Sequence, residues 1–168
     1  MLLGIDPLLG PECLAILRAM GHGDCLVLAD ANYPASSTAQ RLVRMDGASV
    51  LQALSAVLSV LPVDDFDAPP LISPQGPSPA LVSPRGPSPA LVSMQVVGNP
   101  EQIPPIVREM QLVVDRVVPA APRIASVERF AFYALAKTAY AVIATGERAF
   151  YANLIIRKGV VPPPGVSA

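Results

Sequence analysis

Two short runs in this chain, residues 25–29 (CLVLA) and 139–144 (AYAVIA), are almost wholly apolar. A strand with one wet face alternates polar and apolar residues, so a run without alternation reads as a strand buried on both faces. Such a strand needs an apolar layer above and below it, and the segments between the runs supply helices. Residues 11–20 carry Cys13, Leu14, Ile16, Leu17 and Met20 at helical spacing, with Pro11 in the first turn and Gly21 at the end. A second helix follows the turn at Met45-Asp46-Gly47, with Val50, Leu51, Leu54, Val57, Leu58 and Leu61 on one face. Residues 104–118 place Ile106, Val107, Met110, Val113, Val114 and Val117 inward, and residues 129–138 form a further helix. Shorter strands are expected at 41–44, 94–97, 123–127 and 153–157. Strands alternating with helices predict an α/β sheet with helices on both faces.

One segment breaks this pattern. Residues 69–93 hold eight prolines and an internal repeat, SPQGPSPALV (73–82) followed by SPRGPSPALV (83–92). The repeat unit is too short for a solenoid. Proline removes ladder donors, so the segment is expected as an exposed, extended insertion (69–93) in a single domain spanning 1–168. Pro74/Pro77 and Pro84/Pro87 also have the spacing of ligands for proline-binding modules, although that spacing arises unaided in any proline-rich tract.

Composition narrows the function classes. With 12 basic and 13 acidic residues, the chain has no cationic excess to neutralise phosphates, so nucleic acid is not an expected partner. The N-terminus lacks a basic region before its apolar residues, and the apolar stretch Val50 to Val60 is broken by Gln52, Ser55 and Ser59. Neither a secretory signal nor a membrane span is expected, and the protein reads as cytoplasmic. Two cysteines and one histidine make neither a disulfide framework nor a tetrahedral zinc site, so no metal or cofactor is expected. A chain that is 52% hydrophobic and only 15% charged has few charges with which to cover a monomer, which favours burial between subunits.

Three segments put polar residues at strand ends, where α/β sheets bind ligands. His22, in Gly21-His22-Gly23-Asp24, and Asp30 bracket the first apolar run. If that corner folds back, the carboxylate would orient the imidazole for acid/base work; otherwise His22 serves a turn and Asp30 a cap. Arg129 and Tyr133 are four apart on a helix and can share a face, or be a solvated first-turn residue and a core-edge ring. Tyr151 and Asn153, at the start of the last strand, would point to one face, where a phenol and an amide suit sugar hydroxyls. Their plainer reading is a packed strand-end ring and a turn amide. The chain has no Walker loop, dinucleotide fingerprint, nucleophile elbow or CxxC.

Taken in order, MGHGD…ADANYP, RFAFY and TGERAFYANLIIRKGV resemble the fucose mutarotase branch of the ribose pyranase/fucose mutarotase family. DGASVLQAL, DDFDAPPL and IASVERFAFYALAKTAYAVIATGE extend the likeness over nearly the whole chain, the proline repeat being the main departure. The resemblance implies a three-layer α/β/α fold with a central mixed sheet. It implies a cofactor-independent isomerase that exchanges α and β anomers of a monosaccharide by opening and reclosing the ring. It makes His22 the acid/base residue, Asp30 its partner and a sugar ligand, Tyr151 a further catalytic residue that also contacts the sugar, and Arg129, Asn153 and Tyr133 contacts to the sugar. It further implies a homo-oligomeric ring, typically a decamer, with each pocket completed by a neighbouring subunit. Arg129, where the ribose branch usually has histidine, favours L-fucose; Ala152 in YAN is a mark for D-ribose. A sugar-binding module without turnover, or a ring scaffold recruiting partners through the repeat, are the readings from other classes.

Overall fold

The computed structural model describes residues 2–64 and 89–163. In chain order the elements are α1 (Pro11–Ala19), β1 (Cys25–Ala29), α2 (Ala35–Thr38), β2 (Leu42–Met45), α3 (Val50–Leu58), β3 (Leu91–Met94), α4 (Pro105–Val117), β4 (Ala125–Val127), α5 (Arg129–Lys137), β5 (Ala141–Thr145) and β6 (Leu154–Arg157). They build one mixed sheet of six strands in the order β2-β5-β1-β6-β3-β4. The two apolar runs sit side by side as β1 and β5, parallel, with Leu26 opposite Ala141 and Leu28 opposite Ile143. Only β6 runs against the others: it pairs antiparallel with β1 and with β3, while β2 joins β5 and β4 joins β3 in parallel.

The strand period of two divides the sheet's side chains between two apolar layers. Leu26, Leu28, Ile143, Leu154 and Ile156 face α1, α3 and α4, meeting Leu17, Leu54, Val57, Met110 and Val114. Val27, Val142, Ala144, Val92 and Ile155 face the other way, against α2 and α5, where Phe132 and Ala136 pack. Helices therefore cover both faces, as the unalternating runs demand. α3 starts at a reciprocal cap: the Ser49 hydroxyl accepts from Gln52 N–H, and the Gln52 side chain accepts from Ser49 N–H.

Two expectations about the central segment are corrected. The strand expected at 94–97 is Leu91–Met94, three residues earlier. The end of the repeat is accordingly not an exposed loop, because Ala90, Leu91, Val92 and Ser93 are all buried. The proline argument holds only where proline stands, and the four residues Leu91–Met94 contain none. The first copy is followed by Ser83-Pro84 and the second by Ser93-Met94, so only the second copy continues as an apolar run with every N–H available to a ladder. The rest of the expected insertion, residues 69–88, lies outside the described residues. The short helix α2 was also not anticipated.

Candidate active site

Because β1, β2, β3, β4 and β5 run together and β6 runs against them, five carboxyl ends and one amino end meet along one edge of the sheet. Asp30 follows β1, Asn153 precedes β6, Arg129 opens α5 directly after β4, and Tyr151 lies two residues before Asn153. The edge thus gathers five of the six residues singled out in the sequence, with Tyr133 one turn into α5.

Asp30 and Asn153 are its fixed centre. Both are buried. Asn153 Nδ2 donates to Asp30 Oδ2 at 2.7 Å, and its Oδ1 accepts from Asp30 N–H at 3.1 Å. Asp30 Oδ1 accepts from Asn32 N–H at 2.9 Å. Burial pushes the Asp30 carboxyl above the usual carboxylate range and outweighs the bonds from Asn153 and Asn32, which pull it down; the Glu147 charge pushes the same way as burial. A carboxyl group so placed can hold or release a proton closer to neutrality than a solvated one.

Tyr151 is not on a strand, and the alternation argument for it does not apply. It sits in a turn before β6, the one non-glycine residue with positive φ among those described, at 65°. A bulky residue in that region stores backbone strain, which persists only where surroundings hold it. Here the Tyr151 hydroxyl accepts from Val97 N–H at 3.3 Å, tying the turn to the segment after β3. Beside Tyr151 opens a cleft of about 480 Å³, whose walls include Val96, Pro104, Glu109, Glu147 and Phe150.

Arg129 and Tyr133 share a helix but not a partner. The Arg129 guanidinium lies over the Phe130 ring, 5.0 Å from its centre. Tyr133 stacks on Tyr33, centroids 5.7 Å apart. The cap of α5 holds Arg129 at the sheet edge, since the Glu128 carboxylate accepts from the N–H groups of Phe130 and Ala131.

His22 is elsewhere, and its expected pairing with Asp30 is corrected. The two residues flank opposite ends of the extended five-residue strand β1, which at ~3.3 Å per residue sets them ~17 Å apart along its axis. His22 Nε2 instead lies 3.6 Å from Asp64 Oδ1, and Asp64 Oδ2 lies 2.7 Å from Arg157 Nε. A rigid strand between them cannot fold the corner back.

Asp64, Arg157, Tyr33 and Glu147 are contributions that sequence reasoning missed. Asp64 was visible only as one acid of several in DDFDAPPL, and Arg157 as the charge ending an apolar strand. Among the described residues no three His, Cys, Asp or Glu side chains group as a metal site would require. No described helix is long and apolar enough to cross a membrane.

Comparison with known proteins adds to this geometry. The profile of the RbsD / FucU transport protein family matches residues 3–161. The fucose mutarotase of Danio rerio is 39% identical over 168 aligned residues, covering 97% of this chain and 96% of its own. The L-fucose mutarotase of Actinobacillus pleuropneumoniae serotype 5b is 38% identical, covering 96% and 99%. The crystal structure of the fucose mutarotase from Streptococcus pneumoniae in complex with L-fucose superimposes with a TM-score of 0.77 at 33% identity, covering 96% of this chain and all of that one.

Proposed function

This chain belongs to the RbsD / FucU transport protein family, and on that premise we propose that it is an L-fucose mutarotase, a cofactor-independent isomerase exchanging the α and β anomers. The observation that carries the reading is the buried Asp30–Asn153 pair beside the strained Tyr151, in a chain that aligns end to end with fucose mutarotases.

The reaction moves two protons. A base takes the proton of the anomeric hydroxyl, an acid gives one to the ring oxygen, the bond from the anomeric carbon to that oxygen breaks, and the anomeric carbon becomes a carbonyl. Rotation about the adjacent carbon–carbon bond turns the other face to the hydroxyl, and the reverse transfers close the ring. In our assignment Asp30 and His22 carry these protons, with Tyr151 at the reacting end. Arg129, Asn153 and Tyr133 hold the remaining hydroxyls by directional hydrogen bonds.

The distance between His22 and Asp30 supports a pocket shared between copies. His22, its side chain half exposed, enters the Asp30 edge of a neighbouring subunit in a homo-oligomeric ring, which we take to be a decamer acting in the cytoplasm. Phe150 at the cleft and Phe130 under Arg129, 78% and 68% exposed, are large rings for a subunit boundary to cover.

The test is NMR exchange between the anomers of L-fucose, with D-ribose and D-galactose at equal protein concentration. Faster fucose exchange that disappears in His22→Ala is the expected result. Acceleration of ribose alone would keep the chemistry and move the specificity. No acceleration of any sugar would sink the enzyme reading in favour of a binding module.

A further inference from the structure

We propose that Glu147 is a positioning residue for the reaction assigned above: it joins the loop that carries Asp30 to the turn that carries Tyr151 and holds the two in one fixed relation beside the cleft. This deepens the reading above and rests on it for the roles of Asp30 and Tyr151.

Asp30 is bracketed by the segment after β5. On one side, the buried Thr145 hydroxyl donates to Ala29 C=O at 2.9 Å and accepts from Glu147 N–H at 3.3 Å. On the other, Ala31 N–H donates to Glu147 C=O at 2.8 Å. The residues before and after Asp30 are thus both tied to the stretch 145–147. Gly146 lets that stretch lie close against the turn before α3: its N–H donates to Ala48 C=O at 2.9 Å, and a Cβ on it would run into the Asp46 carbonyl oxygen.

The Glu147 side chain shapes the path from there to Tyr151. Its Oε1 accepts from Arg148 N–H at 2.8 Å and from Ala149 N–H at 2.9 Å. Tyr151 follows at positive φ, with its hydroxyl on Val97 N–H. Backbone strain of that kind persists only where neighbouring bonds hold it. Glu147 and Tyr151 also line the same cleft.

A turn that needed only an acceptor would be served as well by a neutral amide. A second carboxylate near a buried acid carries a cost, since a like charge disfavours ionisation. The groups that bear on Asp30 are Asn153 ahead of β6, the backbone N–H groups of Asn32 and Tyr33 in its own loop, and Glu147; of these only Glu147 is charged. Burial is the main cause that raises the Asp30 carboxyl, and the Glu147 charge adds to it. Acids held closer to the working pH in this way belong to proton-transfer sites more than to structural turns.

Two substitutions in the full-length protein separate the charge from the turn. Glu147→Gln keeps the acceptor for Arg148 and Ala149 and removes the charge; Glu147→Ala removes both. With aspartate ¹³C-labelled at its carboxyl, the Asp30 signal is the one missing from Asp30→Asn. In Glu147→Gln that signal is expected to titrate at lower pH than in the wild type, and the limb of the kcat profile for fucose exchange that follows Asp30 moves with it. The Val97 amide signal, which reports the Tyr151 hydroxyl, is expected to shift in Glu147→Ala and to stay in Glu147→Gln. In Glu147→Ala kcat falls about tenfold or more, beyond the loss in Glu147→Gln. An Asp30 titration unmoved in Glu147→Gln, or a Val97 signal unmoved in Glu147→Ala, would overturn the proposal. If the wild-type protein exchanges no anomers, the reaction assigned above fails, while the carboxyl and amide signals still decide whether Glu147 couples Asp30 to the Tyr151 turn.

Discussion

Asp30 combines burial with two hydrogen bonds from neighbouring amides, and that combination has a consequence for stability. Its carboxyl is raised from an ordinary 3.8, so the folded chain holds this proton more tightly than the unfolded chain does. The contribution of this group is therefore most favourable below 3.8, falls as pH rises from there to the raised folded value, and is constant above it. Urea unfolding from acid to neutral pH should show Asp30→Asn gaining on the wild type through that window; a gap that narrows instead would count against burial as the main cause. Tyr151→Phe keeps the ring and its backbone but loses the bond to Val97 N–H. We expect a stability loss of about 1 kcal/mol by chemical denaturation and a larger loss in fucose exchange, because the proposed assignment puts the hydroxyl at the reacting end. Asp30, Asn153 and Tyr151 were all legible as residue types at strand ends. The positive φ of Tyr151 was not, since it is imposed by the turn into β6 and by its tie to a segment more than fifty residues earlier.

At the scale of elements, local rules were sufficient wherever a run carried a clear period. α1, α3, α4 and α5 occupy the expected segments within a few residues, and β1 and β5 are the two apolar runs. They failed at β3, whose first half was read as the tail of a proline repeat. A deletion extended through residue 92 is predicted to unfold the protein, because it removes Leu91 and Val92 from between β6 and β4; loss of the cooperative thermal transition is the readout. The cap of α5 makes a finer test. Glu128→Ala should cost about 1 kcal/mol in thermal or urea unfolding. It should also weaken fucose binding measured by titration, because the cap holds Arg129 at the sheet edge. A variant that loses stability with unchanged affinity would place Arg129 outside the sugar site.

For the whole molecule, the decisive fact is that His22 and Asp30 flank opposite ends of one strand. The proposed sharing of pockets between copies makes a strong prediction. His22→Ala and Asp30→Asn should each abolish exchange alone, while subunits of the two, denatured and refolded together, should regain part of the wild-type rate through mixed pockets. No recovery in a mixture shown to contain hybrid oligomers would require His22 to act outside the Asp30 pocket. Size-exclusion chromatography with light scattering supplies the subunit count.

The sequence by itself determined what depends on near neighbours: which segments are helix or strand, that the sheet is covered on both faces, and that strand ends carry an acid, an amide and a phenol. Periodicity and turn chemistry act over a few residues and can be read along the chain. Only the tertiary structure decided which side chains meet. It set His22 beside Asp64 and Arg157 rather than Asp30, because an extended strand is rigid and long compared with the reach of a side chain. It also placed Leu91–Met94 in the sheet, because the pairing partners that accept a strand, β6 and β4, come from far along the chain.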